Sequence, residues 1–387
     1  MGIISAIGHS VSENHNSLIN NLSGISLSDN FPSKYSGILP LAQVSLTNED
    51  LKEKLNITDA GITRTSLLAH YAFKKALNDA NLSHQDLVSP KTALVGGTTV
   101  GGMSLTDELY RDSKGNGTDK TFLSSYDFAS VFLSIQHHYK MMGIVNTINT
   151  ACSSSANAIM YGCRLIKNGF ANKVIVGGAD SLSKFTINGF NALRILSNEN
   201  CIPFDKNRKG LNLGEGAAFL VLEKEEDALN KKVYAEISGY YNSNDSFHPS
   251  SLSEQGDGPF LCMEGALKLA KLNPNQIDFI NAHGTGTENN DESESRAMIN
   301  LFKNVPDFAS TKSYTGHTLG AASALEAVYS ILNIKYQEVY KNIGFENAIE
   351  VTGLIPILSN KKTSINHVMS NSFGFGGNCT SLIFSKL

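Results

Sequence analysis

An α/β fold is predicted by three observations. Strand-sized runs rich in β-branched residues alternate with helix-like stretches, the alternation occurs twice along the chain, and the most reactive residues stand where strand runs end. The first series holds T-A-L-V-G-G (92–97), I-V-N-T-I-N-T-A (144–151), K-V-I-V-G-G-A (173–179) and A-F-L-V-L-E (218–223). The second opens at V-Y-A-E-I-S-G-Y (233–240), continues with I-D-F-I-N-A-H (277–283), and closes in a hairpin-like pair at 367–374 and 380–385. Two similar halves, 1–230 and 231–387, are expected. The charged stretch E-K-E-E-D-A-L-N-K-K between them reads as linker or as surface helix.

One helix can be justified residue by residue. Ala156, Ile159, Met160, Cys163 and Ile166 recur at three- and four-residue steps, and Asn168-Gly169 supplies a stop. Cys152 therefore falls in or beside the first turn, where the helix dipole favours a thiolate.

The bulk composition narrows the function classes. A chain of 387 residues with 41% hydrophobic content can bury one large core or two fused ones. Its 36 acidic against 32 basic residues leave no chain-wide basic field for nucleic acid. The longest apolar runs, such as A-A-F-L-V-L (217–222), are far short of a membrane span. The N-terminus lacks the basic flank of a signal peptide, and Ala6 stands where a myristoylation motif needs Ser or Thr, so a soluble cytoplasmic protein is expected. The five cysteines contain no C-x-x-C pair and read as reduced thiols. Cys163 and Cys379 resemble small core hydrophobes, and only Cys152 has a reactive setting.

That setting is N-T-A-C-S-S-S-A-N-A-I-M around Cys152, followed by N-A-H-G-T-G-T around His283 and K-S-Y-T-G-H-T-L-G-A-A around His317. Small neighbours let backbone amides approach a reacting centre. The remaining histidines carry no motif. A zinc site built from Cys152, His283 and His317 is chemically conceivable, but a metal would quench the nucleophile, so none is expected.

Together with P-F-D-K-N-R-K-G-L-N-L-G-E-G-A (203–217) and N-S-F-G-F-G-G-N (371–378), these segments closely resemble the Cys-His-His β-ketoacyl-acyl-carrier-protein synthases of the elongating I/II type. The matches run in the family's order, from G-I-I-S-A-I-G near residue 2 to T-S-L-I-F near residue 380. The resemblance implies a thiolase-like five-layered αβαβα fold made of two pseudo-symmetric halves. It implies decarboxylative condensation of an acyl group on Cys152 with malonyl-acyl-carrier protein, in fatty acid or polyketide elongation. A thiolate suits the first step because it attacks thioesters readily and leaves equally well. His283 and His317 would donate N–H bonds to the enolate oxygen, and the backbone amides of Cys152 and Phe375 would bind the tetrahedral acyl intermediates.

Further roles follow by the same carry-over. Phe375, flanked by Gly374, Gly376 and Gly377, would gate the acyl channel; the alternative is a plain hairpin hydrophobe. Lys312 would keep the imidazoles neutral, and Glu294 would steady Lys312, unless it is a solvated charge. Thr285 and Thr287 would bind the phosphopantetheine arm, Val100 would limit acyl length, and Phe190 and Gly376 would also contact substrate. His248 would be structural. Carrier proteins are acidic, so Arg64, Lys206, Arg208 and Lys209 are candidates for a basic docking rim, the last three otherwise forming a solvated turn. No bound cofactor is expected beyond the phosphopantetheine that the carrier brings. A homodimer, or a heterodimer with a chain-length-factor partner, is expected, with the region from Phe122 to Tyr139 at the contact.

Three features depart from the family pattern. Met1 stands directly before a segment that other members precede with several residues of a first strand, which puts that edge's stability in question. The stretch 181–193 looks more like ketosynthases of aryl polyene or flexirubin pigment clusters. Asn378 replaces a customary His or Thr, with no consequence evident from the sequence. Among rival readings, thiolases and type III synthases lack the paired histidine motifs, and a non-catalytic dimerisation subunit would lack Cys152.

Overall fold

In the computed structural model, which describes residues 1–27, 33–105, 110, 125–229 and 231–387, two five-stranded sheets share one topology. The first comprises β1 (Gly2–Ser5), β2 (Thr92–Gly97), β3 (Val145–Ile148), β4 (Lys173–Asp180) and β5 (Gly216–Glu223), in the order β1-β5-β4-β2-β3. The second comprises β6 (Glu236–Asn244), β7 (Phe279–Asn281), β8 (Asp307–Ala309), β9 (His367–Phe373) and β10 (Asn378–Ser385), in the order β6-β10-β9-β7-β8. In each, the last three strands of that order run parallel and the remaining pairings are antiparallel. Strand by strand, β1 to β5 therefore correspond to β6, β7, β8, β9 and β10 as β1/β6, β2/β7, β3/β8, β4/β9 and β5/β10. This is the thiolase-like pair of halves that the resemblance implies.

Burial explains the strand sequences. All of β4 except Lys173 is buried, and all of β9 except His367, which is why both read as near-continuous runs instead of alternating ones. Both sheets are covered on two faces. Against the first lie α1 (Arg64–Ala80) and α2 (Ser130–Tyr139) on the outside, and against the second α5 (Asp257–Ala270), with α6 (Glu288–Leu301) beside it. Between the sheets run α3 (Ser154–Lys167) and α7 (Ala322–Tyr336). Every residue of α7 from Ala322 to Ile334 is buried, as a helix walled on both sides requires. In α3 the predicted stripe is buried at Ala156, Ile159, Met160 and Ile166, while Cys163 is half-buried, and Asn168 caps the end.

Several boundaries shift from the sequence expectation. The strand expected at 144–151 stops at Ile148, because Ala151 adopts a left-handed conformation that ends the extended run. The charged stretch near residue 228 contains a short helix, Glu225–Ala228. At the N-terminal edge β1 pairs with β5 over all four residues, and the Met1 ammonium donates to Asp79 at 2.5 Å, which secures the edge.

The fold positions chemistry at one end of the parallel strands. Cys152 follows β3, His283 follows β7, Lys312 and His317 follow β8, and Phe375 follows β9. Loops from both halves meet outside the carboxyl ends of these strands, where open α/β sheets place ligands.

Candidate active site

The nucleophile turn is built on backbone strain. Ala151 has φ 53°, a conformation that costs a residue with a Cβ about 1–2 kcal/mol and that redirects the chain from β3 into α3. Ser154 stabilises the kink, its Oγ donating to Ala151 O at 2.5 Å and accepting from Thr150 N at 2.9 Å. From the start of α7, Ser323 Oγ donates to Cys152 O at 3.1 Å, so both central helices hold the cysteine.

Cys152 is buried, and burial pushes its thiol up to about 11; the Lys312 charge and the nearby Phe375 amide pull back only part of this. The expectation of a resting thiolate at the helix start is corrected accordingly. Desolvation is the largest influence on the group, and it rests as a thiol.

The two imidazoles are fixed as neutral donors. His317 Nδ1 accepts from Leu319 N at 3.2 Å, and His283 Nδ1 faces the Lys312 ammonium at 3.2 Å. With each Nδ1 accepting, the proton of each ring sits on Nε2. Burial first, and then the Lys312 charge, hold both rings well below the ordinary histidine range. The rings meet edge to face with centroids 5.4 Å apart, and Cys152 Sγ and one nitrogen of each ring all lie within 4.8 Å of one another. Among the described residues this is the one convergent set of potential metal ligands, but a metal there would occupy the thiol.

Lys312 spends all three of its protons locally, on His283 Nδ1, on His283 O at 2.6 Å and on Glu326 Oε1 at 2.5 Å. The carboxylate that steadies Lys312 is thus Glu326, on α7, and not Glu294. Glu294 is fully buried instead of solvated; it accepts from the amides of His283 and Gly284 at 2.9 and 2.8 Å and from Asn371 at 3.2 Å, so it shapes the turn that carries His283. Burial raises its carboxyl to about 7 against the pull of those donors.

A cavity of about 350 Å³ leads to Cys152, His283 and His317, lined also by Thr285, Thr287, Phe190 and Phe375. Thr285 and Thr287 share a hydroxyl contact at 2.8 Å. Phe375 is exposed and stacks on Phe190, centroids 5.8 Å apart. The loop that carries it depends on small residues: a Cβ on Gly374 would sit 2.6 Å from Thr150 O, and Gly376 and Gly377 have φ of 81° and 79°. Val100 is fully buried against Leu182 and Leu319 and does not line this cavity.

The proposed docking residues divide. Arg208 is buried, its guanidinium bound to Thr287 O, Glu288 O and Asp205 O and paired with Asp291 and Glu292, so it braces the His283 loop from inside and is no surface contact. Arg64 is likewise engaged, spanning both oxygens of the buried Glu215. Lys206 and Lys209 are exposed, paired with Glu350 and Glu199. Phe122 lies outside the described residues.

These halves, with a thiol and two imidazoles between them, correspond to known sequence families. The β-ketoacyl synthase N-terminal domain matches residues 1–228, and the β-ketoacyl synthase C-terminal domain matches residues 234–346. The chain belongs to the β-ketoacyl synthase family. The 3-oxoacyl-[acyl-carrier-protein] synthase 2 of Coxiella burnetii is 33% identical over 408 residues, covering 100% of this chain and 97% of the relative. Among solved structures, the ishigamide ketosynthase/chain length factor superposes with a TM-score of 0.93 at 28% identity, covering 100% of this chain and 97% of that one. A type II polyketide ketosynthase in complex with its acyl-carrier protein and bound to the hexaketide gives 0.90 at 26%, covering 100% and 98%.

Against this family background, three functional positions stand out that sequence reasoning missed. Glu326 is the first. Asp180, at the end of β4, is fully buried and accepts from Thr98 Oγ1, Thr99 N and Oγ1, Val100 N and Gly320 N, so it ties the Val100 turn to the segment that follows His317. Arg194, exposed with φ 58° just after α4 (Lys184–Ala192), lines the cavity mouth together with Lys209. Its signal was available as a cation at the end of the polar and aromatic 181–193 stretch.

Proposed function

We propose that the protein catalyses decarboxylative Claisen condensation, joining an acyl group held on Cys152 to malonyl-acyl-carrier protein to give a β-ketoacyl-carrier protein. The observation that carries the reading is the convergence of one thiol and two neutral, Nε2-protonated imidazoles at the end of a single cavity. The Cys152 sulfur attacks the acyl thioester, the new C–S bond replaces the bond to the phosphopantetheine sulfur, and the thiol proton leaves with the released carrier thiol. The Phe375 and Cys152 amides receive the oxyanion. Malonyl thioester then loses carbon dioxide, and the two Nε2–H groups hold the enolate oxygen. Its carbon attacks the acyl carbonyl, and Cys152 departs and regains a proton. Lys312, with Glu326 as counter-charge, keeps both rings neutral donors throughout.

Thr285 and Thr287 are placed to hydrogen-bond the amides of the phosphopantetheine arm, with Phe190, Phe375 and Gly376 around the acyl entrance. Lys206, Lys209 and Arg194 form the basic rim for an acidic carrier. The protein brings no cofactor of its own, and the arm comes with the carrier. A heterodimeric reading is favoured by the solved ketosynthase/chain length factor at TM-score 0.93. The edge strand β3 and the half-exposed face from 125 to 142, including exposed Leu133 and Met142, would be the contact.

Intact-mass analysis after incubation with a panel of acyl-carrier thioesters tests the reading. An adduct of acyl mass is expected on the protein and not on Cys152→Ala, with β-ketoacyl product once malonyl-carrier is added. Absence of any adduct across the panel, alone and with a synthase-like partner, would overturn it.

A further inference from the structure

Asn378 departs from the family pattern, and its surroundings give it work. Its Oδ1 accepts three hydrogen bonds, from Ser153 Oγ at 2.8 Å, Asn157 Nδ2 at 2.8 Å and Asn242 Nδ2 at 2.7 Å. Ser153, directly after Cys152, is the N-cap residue of α3, Asn157 lies in its first turn, and Asn242 belongs to β6. The same residue's backbone carbonyl accepts from Gly374 N at 2.8 Å, across the base of the Phe375 loop. Two further bonds close the network: Asn157 Nδ2 donates to Thr150 Oγ1 at 2.8 Å, and Thr380 Oγ1 donates to Asn157 Oδ1 at 3.1 Å. Asn378 thus touches the nucleophile turn through its side chain and the gate through its backbone. A Thr hydroxyl, shorter and sp³, could not place one acceptor before all three donors.

We propose that Asn378 is a positioning residue that pins the hinge of the Phe375 loop to the start of the nucleophile helix, keeping the Phe375 amide aimed at Cys152 Sγ while the exposed Phe375 ring remains free to move. It deepens the function proposed above and rests on it for the meaning of acylation, but not for its geometry. Beyond Phe375 the loop is held by its own backbone, Gly376 N donating to Pro249 O at 2.7 Å and Gly377 O accepting from Asp245 N at 2.7 Å, so Asn378 anchors the side of the loop that faces the nucleophile turn. A hinge that moved by a hydrogen bond's length would take the amide off the sulfur and weaken the acyl-binding site. Only an acceptor is required of the residue at 378, so Asp should serve where Ala and Thr fail.

The test compares Asn378→Ala, Asn378→Thr and Asn378→Asp on the full-length protein, using two readouts per folded molecule. The first is the pH profile of Cys152 alkylation by iodoacetamide, which reads the Phe375 amide and needs no carrier. The second is the rate of Cys152 acylation by an acyl-pantetheine thioester, followed by intact mass. For Ala and Thr we expect the alkylation midpoint to move to higher pH and acylation to fall about tenfold, with Asp restoring acylation but not the midpoint, which its own negative charge raises. Should Asn378→Ala not fold, Ser153→Ala, which removes one donor, must move both readouts in the same direction by less. Unchanged profiles and rates in Ala and Thr, or loss of thermal stability alone, would overturn the proposal. Failure of the wild type to acylate would instead overturn the function, and the alkylation profiles would still decide the role of Asn378.

Discussion

Cys152 rests protonated because desolvation exceeds what one cation and one amide return to it, and its reactivity toward simple electrophiles should reveal this. Alkylation should keep rising with pH toward a midpoint near 11, and Lys312→Met should raise the midpoint further, since the Lys312 charge lowers it. Titrating iodoacetamide labelling by mass checks both; a plateau near pH 8.5 would contradict them. The histidines titrate the other way. Held neutral far below pH 6.5, they should give malonyl-carrier decarboxylation a rate that is flat from pH 6 to 8, and His283→Ala or His317→Ala should lower it roughly a hundredfold to a thousandfold. An acid limb centred near pH 6.5 would count against the donor role. Cys152, His283 and His317 were legible because each lies in its own run of small residues. Glu326 was not, because A-S-A-L-E-A-V-Y reads as an apolar helix and nothing local pairs it with a lysine fourteen positions earlier. Arg208 was misread for the complementary reason: a charged turn looks solvated until the loop it folds beneath is known.

Among the elements, the Phe375 loop separates strain from clash. A Cβ on Gly377 would lie 1.8 Å from Asp245 O, whereas one on Gly376 meets nothing, although both have positive φ. Gly376→Ala should therefore cost about 1–2 kcal/mol from conformation alone, and Gly377→Ala clearly more, because the 245 backbone must move; denaturant midpoints of the two variants decide. Nearly all long strands and the nucleophile helix could be read from sequence, since burial on two faces leaves uninterrupted apolar runs. The left-handed Ala151 could not, because alanine carries no signature for that conformation and the surrounding serines impose it. Nor could Asn378, whose three donors come from segments more than a hundred residues away.

For the molecule as a whole, charge is local. A net charge of −4 must still admit an acidic carrier, and the exposed cations at the cavity mouth are where attraction would act. Reversing Arg194 and Lys209 to Glu should raise KM for carrier-bound substrate several-fold at low salt, with kcat and the KM for free pantetheine thioesters little changed, and added salt should narrow the gap between variant and parent. Equal effects on both substrate forms would place these residues inside the chemistry instead. The shared middle layer bears on how the molecule could be taken apart. One of its helices is drawn from residues 154–167 and the other from 322–336, so neither portion of the polypeptide can seal its own interior. A backbone nick at the exposed Lys231-Lys232 pair should leave two fragments that copurify and stay active, whereas either fragment produced alone should aggregate through its uncovered helix.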